Sequence, residues 1–206
     1  MGVTKSVHED PRVARSKQAV THAARELLLE LGFAGVTIEA VAARSGVAKT
    51  TIYRHWVDRN VLIMDVFPRV DCDEEAPATD DLRADIIAKL RGLTEGLVSE
   101  DWGEVMPALI EAAEREPEFR LLSKAYINTK RRPTRNRLEL AVRRGELPAN
   151  TDIEVLMAGL AGPLFYRRYI SRQSLTDRQL VEKITDQALR GAGWVQPPMC
   201  ADNEHT

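Results

Sequence analysis

The chain has 206 residues, 44% of them apolar, with 29 Lys and Arg against 31 Asp and Glu. That length suits one sizeable core or two small ones. The longest apolar stretch, Val155 to Phe165, is interrupted by Gly159, Gly162 and Pro163 and falls short of the ~18 residues a membrane span needs, so no membrane partner is expected.

Helical periodicity dominates wherever a pattern is readable, and no alternating strands flank a hairpin turn, which predicts an all-α chain of about nine helices. Val20, Ala23, Ala24, Leu27, Leu28 and Leu31 recur at threes and fours, giving a helix from Val13 to Leu31 with a stop at Gly32. Thr37 is placed to cap a short helix carrying Ile38, Val41 and Ala42. Ser45-Gly46-Val47 interrupts it, and a second short helix runs from Ala48 to His55. Asp58 caps a fourth helix through Phe67, which Pro68 ends or kinks.

A loop rich in acidic residues, Val70 to Thr79, separates this block from the next. Asp80 and Asp81 then open a helix with the stripe Leu82, Ile86, Leu90, Leu93 and Leu97. A shorter helix carries Met106, Leu109, Ile110 and Ala113. Another runs from Glu118 to a stop at Gly145, and Pro133 should kink or divide it. Thr151 with Glu154, and Thr176 with Gln179, have the spacing of capping boxes and start two further helices, over 152–171 and 177–189. An irregular tail is expected from Gly191.

The two short helices about Gly46 carry the functional signal. A helix-turn-helix needs a residue that tolerates a left-handed turn, a small residue at the helix contact and apolar anchors. Gly46, Ala42 and the set Val41, Val47 and Ile52 meet those needs. With the anchors buried, Lys49, Thr50, Tyr53 and Arg54 lie on the exposed side or N-terminal end of the second helix, with donors and apolar groups suited to base edges and phosphates.

Around this unit Ala23-Ala24, Leu27, Leu31-Gly32-Phe33, Val36-Thr37-Ile38, Val41-Ala42, Ser45-Gly46-Val47-Ala48, Thr51-Ile52-Tyr53-Arg54-His55-Trp56, Arg59 and Leu62 resemble the TetR family of bacterial transcriptional repressors over residues 12–67. The resemblance implies phosphate contacts for Thr37, Tyr53, His55 and Arg59 and base contacts for Lys49, Thr50 and sometimes Tyr53. Ala48 stands where Ser or Thr is usual and is expected to contribute packing only; Arg59 replaces the usual Lys and keeps its charge. Further on, Arg143-Arg144-Gly145-Glu146-Leu147-Pro148, Asp152 and Leu160-Ala161-Gly162-Pro163-Leu164-Phe165-Tyr166-Arg167 resemble the C-terminal half of one TetR-type subgroup. In such proteins that half binds a small effector and dimerises through its last two helices.

The expected organisation is therefore a three-helix DNA-binding domain over 1–57 with an N-terminal arm, a helical ligand-binding and dimerisation domain over 58–191, and a tail over 192–206. The expected partners are a double-stranded DNA operator, a second copy of the chain and an unidentified small-molecule effector. The alternative is a DNA-binding activator or architectural protein without a small ligand.

Trp102, Met106, Phe119, Tyr126, Phe165, Tyr166 and Tyr169 are the candidates for an effector cavity; the competing reading is plain core. Lys130, Arg131, Arg132, Arg135 and Arg137 read as a solvated helix face answering acidic segments, with a second nucleic-acid patch as the alternative. The acidic neighbours of Cys72 should blunt its thiolate, and Cys72 and Cys200 show no CxxC spacing, which fits a reduced, cytoplasmic protein. His8, His22, His55 and His205 lack metal-ligand spacing, and no phosphate loop or nucleophile elbow occurs, so neither an enzyme nor a cofactor is expected.

Residues 1–60 hold nine basic and six acidic side chains, against twenty and twenty-five in the remainder. A net charge of -2 thus conceals a mildly basic front that coincides with the helix-turn-helix.

Overall fold

The computed structural model describes residues 11–66 and 78–195. The expectations about Phe67, Pro68, Cys72, Cys200, His8, His205 and the tail beyond Val195 lie outside these residues. Among the described residues the secondary structure is helical throughout, as the periodicity predicts.

The helix α1 spans Pro11–Gly35 and is interrupted at Gly32, whose φ of 69° and ψ of -174° only glycine adopts without strain. The break turns the chain so that Phe33 is buried with Val20, Ala23, Ala24, Leu27 and Leu28. Leu31, expected in the same stripe, is exposed, because it stands at the last position before the break. Next come α2 (Ile38–Ser45), α3 (Lys49–His55) and α4 (Arg59–Val66). Thr37 caps α2 by accepting from the Ala40 N–H at 3.1 Å, and Asp58 accepts from the Val61 N–H at 2.9 Å at the start of α4. Both caps match the sequence signals.

Helix α5 spans Leu82–Val98 and buries Leu82, Ile86, Leu90 and Leu97, while Leu93 is half-buried. A four-residue helix α6, Glu100–Gly103, capped by Ser99, went unread in the sequence; α7 follows over Met106–Arg115. Met106, Leu109 and Ala112 face inward and Ile110 outward.

Helix α8, Pro117–Arg143, continues through Pro133, which does not divide it. The proline removes the hydrogen bond to the Thr129 carbonyl, and Thr129 is exposed, so water can satisfy that group. The helix ends on a Schellman motif: Gly145, at φ 73°, donates to the Val142 carbonyl at 3.1 Å and Glu146 to the Ala141 carbonyl at 2.9 Å.

The last two helices start differently from the capping boxes expected at Thr151 and Thr176. Helix α9, Ile153–Phe165, is capped by Asp152, which accepts from the Val155 N–H at 3.0 Å; the Thr151 hydroxyl instead donates to the Pro148 carbonyl at 2.7 Å. A π-helical segment, Tyr166–Ile170, continues it. Helix α10 covers Leu180–Gly191, starting three residues later than expected, because Asp177 and Ser174 hold the preceding residues in turns.

Packing divides the described residues into two units, 11–66 with 99–129, and 78–98 with 130–195. The first sets α1 against α2, α4 and α7; the second sets α5 against α9 and α10. This grouping is not contiguous in sequence, unlike the division read at residue 57.

Within the second unit, Arg137 is the polar centre. Its side chain is 2% exposed, its Nε donates to Asp85 Oδ2 at 2.5 Å, and its Nη2 donates to Glu146 Oε2 and the Thr79 carbonyl at 3.2 and 3.3 Å. Arg137 therefore does not belong to the solvated face to which its sequence neighbours assign it. Arg131 and Arg135 both pair with Glu154 on α9.

Candidate nucleic-acid interface

The turn between α2 and α3 is built by Gly46, which sits at φ 70° and ψ 7° and donates to the Ala42 carbonyl at 3.0 Å. An L side chain in this left-handed conformation would be strained. Ser45 accepts from the Val47 N–H at 3.2 Å and tightens the reversal. Val41 and Ile52 are fully buried and Val47 half-buried, so the two helices close on one apolar seam. Trp56 ends α3 by burial, with its indole N–H donating to Asp65 Oδ2 on α4 at 3.0 Å.

Ile52 and Trp56 point inward, while Lys49, Thr50, Tyr53 and Arg54 are exposed, Thr50 and Arg54 opposite the buried side and Lys49 and Tyr53 on its flank. Tyr53, 52% exposed, is a large aromatic that the core does not use. Thr37 is exposed at the N-terminus of α2. His55 is half-buried with its ring edge-on to Trp56 at 5.7 Å. Arg59 is placed differently from the rest: its guanidinium lies 4.7 Å over the Phe33 ring and 3.7 Å from Glu116, so its charge is already shared inside the first unit.

Two ion pairs of the first unit were not found by sequence reasoning, one of them on α3 itself. Lys49 Nζ lies 2.8 Å from Glu39 Oε1, and Arg44 Nη1 lies 2.7 Å from Glu30 Oε1. The hydrogen bond from Lys49 holds the Glu39 carboxyl below its ordinary value, and that from Arg44 does the same to Glu30. Ten positions separate Glu39 from Lys49 across a turn, a spacing with no helical meaning by itself. Only the geometry at Gly46 brings them together.

Residues 20–66 match the family described as bacterial regulatory proteins, tetR family, and residues 76–188 match the tetracyclin repressor-like C-terminal domain. The chain belongs to the TetR family of transcriptional regulators. It is 34% identical over 172 residues to an uncharacterized HTH-type transcriptional regulator, YdeS, of Bacillus subtilis strain 168, covering 81% of this chain and 85% of that one. It is 23% identical over 151 residues to the HTH-type transcriptional repressor AcnR of Corynebacterium efficiens, covering 73% of this chain and 79% of that one. Its fold is similar to that of NalD, the secondary repressor of the MexAB-OprM multidrug efflux pump in Pseudomonas aeruginosa, with a TM-score of 0.70, 20% identity and coverage of 87% and 96%.

As a TetR-family member the chain is a DNA-binding regulator. Ala48, at the N-cap of α3, is exposed and offers no side-chain cap, so it does not pack as expected. Ala48→Ser should add the missing acceptor for an early α3 N–H and raise stability by about 0.5–1 kcal/mol. Urea unfolding of the two proteins checks this, an unchanged midpoint being the contrary result.

The seven aromatic and apolar residues proposed for an effector cavity fall in both units. In the first, Phe119 is fully buried edge-on to Phe33 with centroids 4.9 Å apart, and Met106 is also core, while Trp102 and Tyr126 are half-buried. In the second, Phe165 and Tyr169 are half-buried with centroids 6.0 Å apart, Arg168 lies over the Tyr169 ring, and Tyr166 is exposed. Burial pushes the Tyr169 hydroxyl pKa up. None of the seven lines the groove of about 500 Å³ between α9 and α10, which is bounded by residues including Asp152, Val155, Gly159, Gln187 and Gly191. No described helix is long and apolar enough to cross a membrane.

Proposed function

We propose that the protein is a homodimeric repressor whose two α3 helices enter successive major grooves of a palindromic operator, about 34–36 Å apart, and that a small-molecule effector releases it. The observation that carries the DNA-reading part is the exposed set Lys49, Thr50, Tyr53 and Arg54 on a helix whose other side is fixed by Ile52 and Trp56. Thr37 and His55 flank that set as phosphate donors, and Arg59 joins them if its pairing with Glu116 yields to DNA.

Dimerisation is assigned to α9 and α10. Val155, Gly159, Gly162, Tyr166 and Ile170 follow one another at threes and fours and are all exposed, an apolar and small-residue line left uncovered among the described residues. The groove beside it adds relief for a second copy to fill. Phe165 and Tyr169, half-buried with a hydroxyl handle, are the assigned effector contacts in the second unit. An effector that prefers the conformer with misplaced reading heads weakens operator binding by its difference in affinity for the two states, commonly about 1–3 kcal/mol.

Tyr53→Ala and Lys49→Ala should each weaken operator binding by about 10-fold or more while leaving the thermal midpoint unchanged, since both side chains are exposed. Footprinting on the upstream region of its own gene and mobility shift at two salt concentrations measure this. A palindromic footprint with steep salt dependence supports the reading, and unchanged affinity in both variants rejects α3 as the reader. A thermal-shift panel of metabolites tests the effector, because a ligand specific for the folded state raises stability by mass action.

A further inference from the structure

We infer that Glu39 is a positioning residue for specificity: its carboxylate holds the Lys49 ammonium at the start of α3, so that Lys49 serves base recognition and not indiscriminate phosphate binding. This rests on the DNA-reading role of α3. The contact is 2.8 Å, and both side chains are more than half exposed, so burial does not force the pairing.

A lysine side chain is a point charge on a flexible stem with three rotatable donors. Left free at the N-terminal end of a recognition helix, such an ammonium would reach any nearby phosphate, and each phosphate neutralised contributes affinity without sequence information. Glu39 stands one residue inside α2, across the Gly46 turn, and draws the ammonium toward the gap between the two helices. The pairing has two consequences. It occupies one donor and leaves two in a restricted orientation, the condition for bonding a base edge. It also cancels most of the local positive charge, which lowers the pull toward phosphates at large. The Arg44 and Glu30 pair, between α2 and α1, neutralises a second cation of this region. The front of the chain thus carries less free positive charge than its nine basic side chains suggest.

The test begins with selection of duplexes from a random library by the full-length protein. Failure to enrich any sequence would reject the DNA-reading assignment itself, separately from the role of Glu39. With the enriched duplex and a scrambled duplex of equal composition, dissociation constants are measured from 50 to 200 mM salt for wild type, Glu39→Gln, Lys49→Gln and the double variant. Glu39→Gln should bind the scrambled duplex about 3- to 10-fold more tightly, with a salt slope steeper by about 0.9, the value for one added phosphate contact. The enriched duplex should gain little, so the ratio of specific to non-specific affinity falls by at most the same 3- to 10-fold, about 3-fold or more being expected. In the Lys49→Gln background, Glu39→Gln should leave that ratio unchanged within about twofold.

Glu39→Asp, which keeps the charge one methylene shorter, should recover part of the ratio. An equal gain on both duplexes would reduce Glu39 to a repelling charge and overturn the inference. So would no change on either duplex, or the same loss of ratio with Lys49 already absent.

Discussion

Arg137→Ala should destabilise the fold by about 3–5 kcal/mol, the scale for removing one partner of a buried ion pair and leaving the other charges uncompensated. The side chain is 2% exposed and Asp85 is 12% exposed, so water does not replace the lost donors. Thr79 also donates to Asp85 through its hydroxyl at 2.8 Å and its N–H at 3.1 Å, which ties the residues before α5 to its first turn, and Arg137 ties both to α8. Burial pushes the Asp85 carboxyl up, but the hydrogen bonds from Arg137 and Thr79 outweigh it and hold the pKa below its ordinary 3.8. A group depressed in the folded state binds more protons when unfolded. Its stabilisation is therefore complete above the unfolded value and is lost as pH falls below that value through the folded one. Acid titration of unfolding should show this loss in wild type and a shallower one in Asp85→Asn. In Arg137→Ala only Thr79 still opposes burial, so the acid limb should flatten there too. A neutral-pH loss under about 1 kcal/mol for Arg137→Ala would contradict the network's structural role.

What could be read from sequence follows from the range of the interactions involved. Thr37, Gly46 and Asp58 act within four residues of themselves, and their roles as cap, turn and cap agree with the structure. The exposed residues of α3 were equally legible, since burial of Ile52 leaves Thr50 and Arg54 on the far side and Lys49 and Tyr53 at the N-terminal end and flank. The capping boxes at Thr151 and Thr176 failed for a local reason as well: Asp152 and Asp177 stand one residue later and accept instead, Asp152 from the Val155 N–H and Asp177 from the Gln179 N–H.

Long-range partners were beyond reach. Nothing in the spacing tells Arg137 from Arg131 and Arg135, although one is buried between two carboxylates and the others answer Glu154 near the surface. Glu39 beside Lys49, and Glu116 beside Arg59, arise from tertiary geometry, which composition does not encode locally. Hydrophobicity likewise cannot separate a cavity wall from core. Phe119 and Tyr169 belong to the same sequence class, yet one is fully buried and the other half-buried beside an arginine.

Phe119 also shows where a perturbation within the first unit would reach the reading head. Its ring meets Phe33 edge-on at 4.9 Å, directly after the Gly32 break, and Phe33 in turn lies under the Arg59 guanidinium at the first residue of α4. Phe33, Phe119 and Arg59 thus join the end of α1, the start of α8 and the start of α4 in one packed cluster. Truncation to alanine should cost about 3–5 kcal/mol, combining lost apolar transfer with the cavity left behind. Phe119→Leu keeps most of the volume and should cost about 1–1.5 kcal/mol, while removing the edge-on ring contact. Chemical denaturation measures both. If the cluster sets the angle of α4, Phe119→Leu should weaken operator binding under conditions where the protein remains fully folded, with the salt slope unchanged because no phosphate contact is removed. Operator affinity equal to wild type in folded Phe119→Leu would confine Phe119 to packing. A loss accompanied by a shallower slope would place the defect at the DNA contacts themselves.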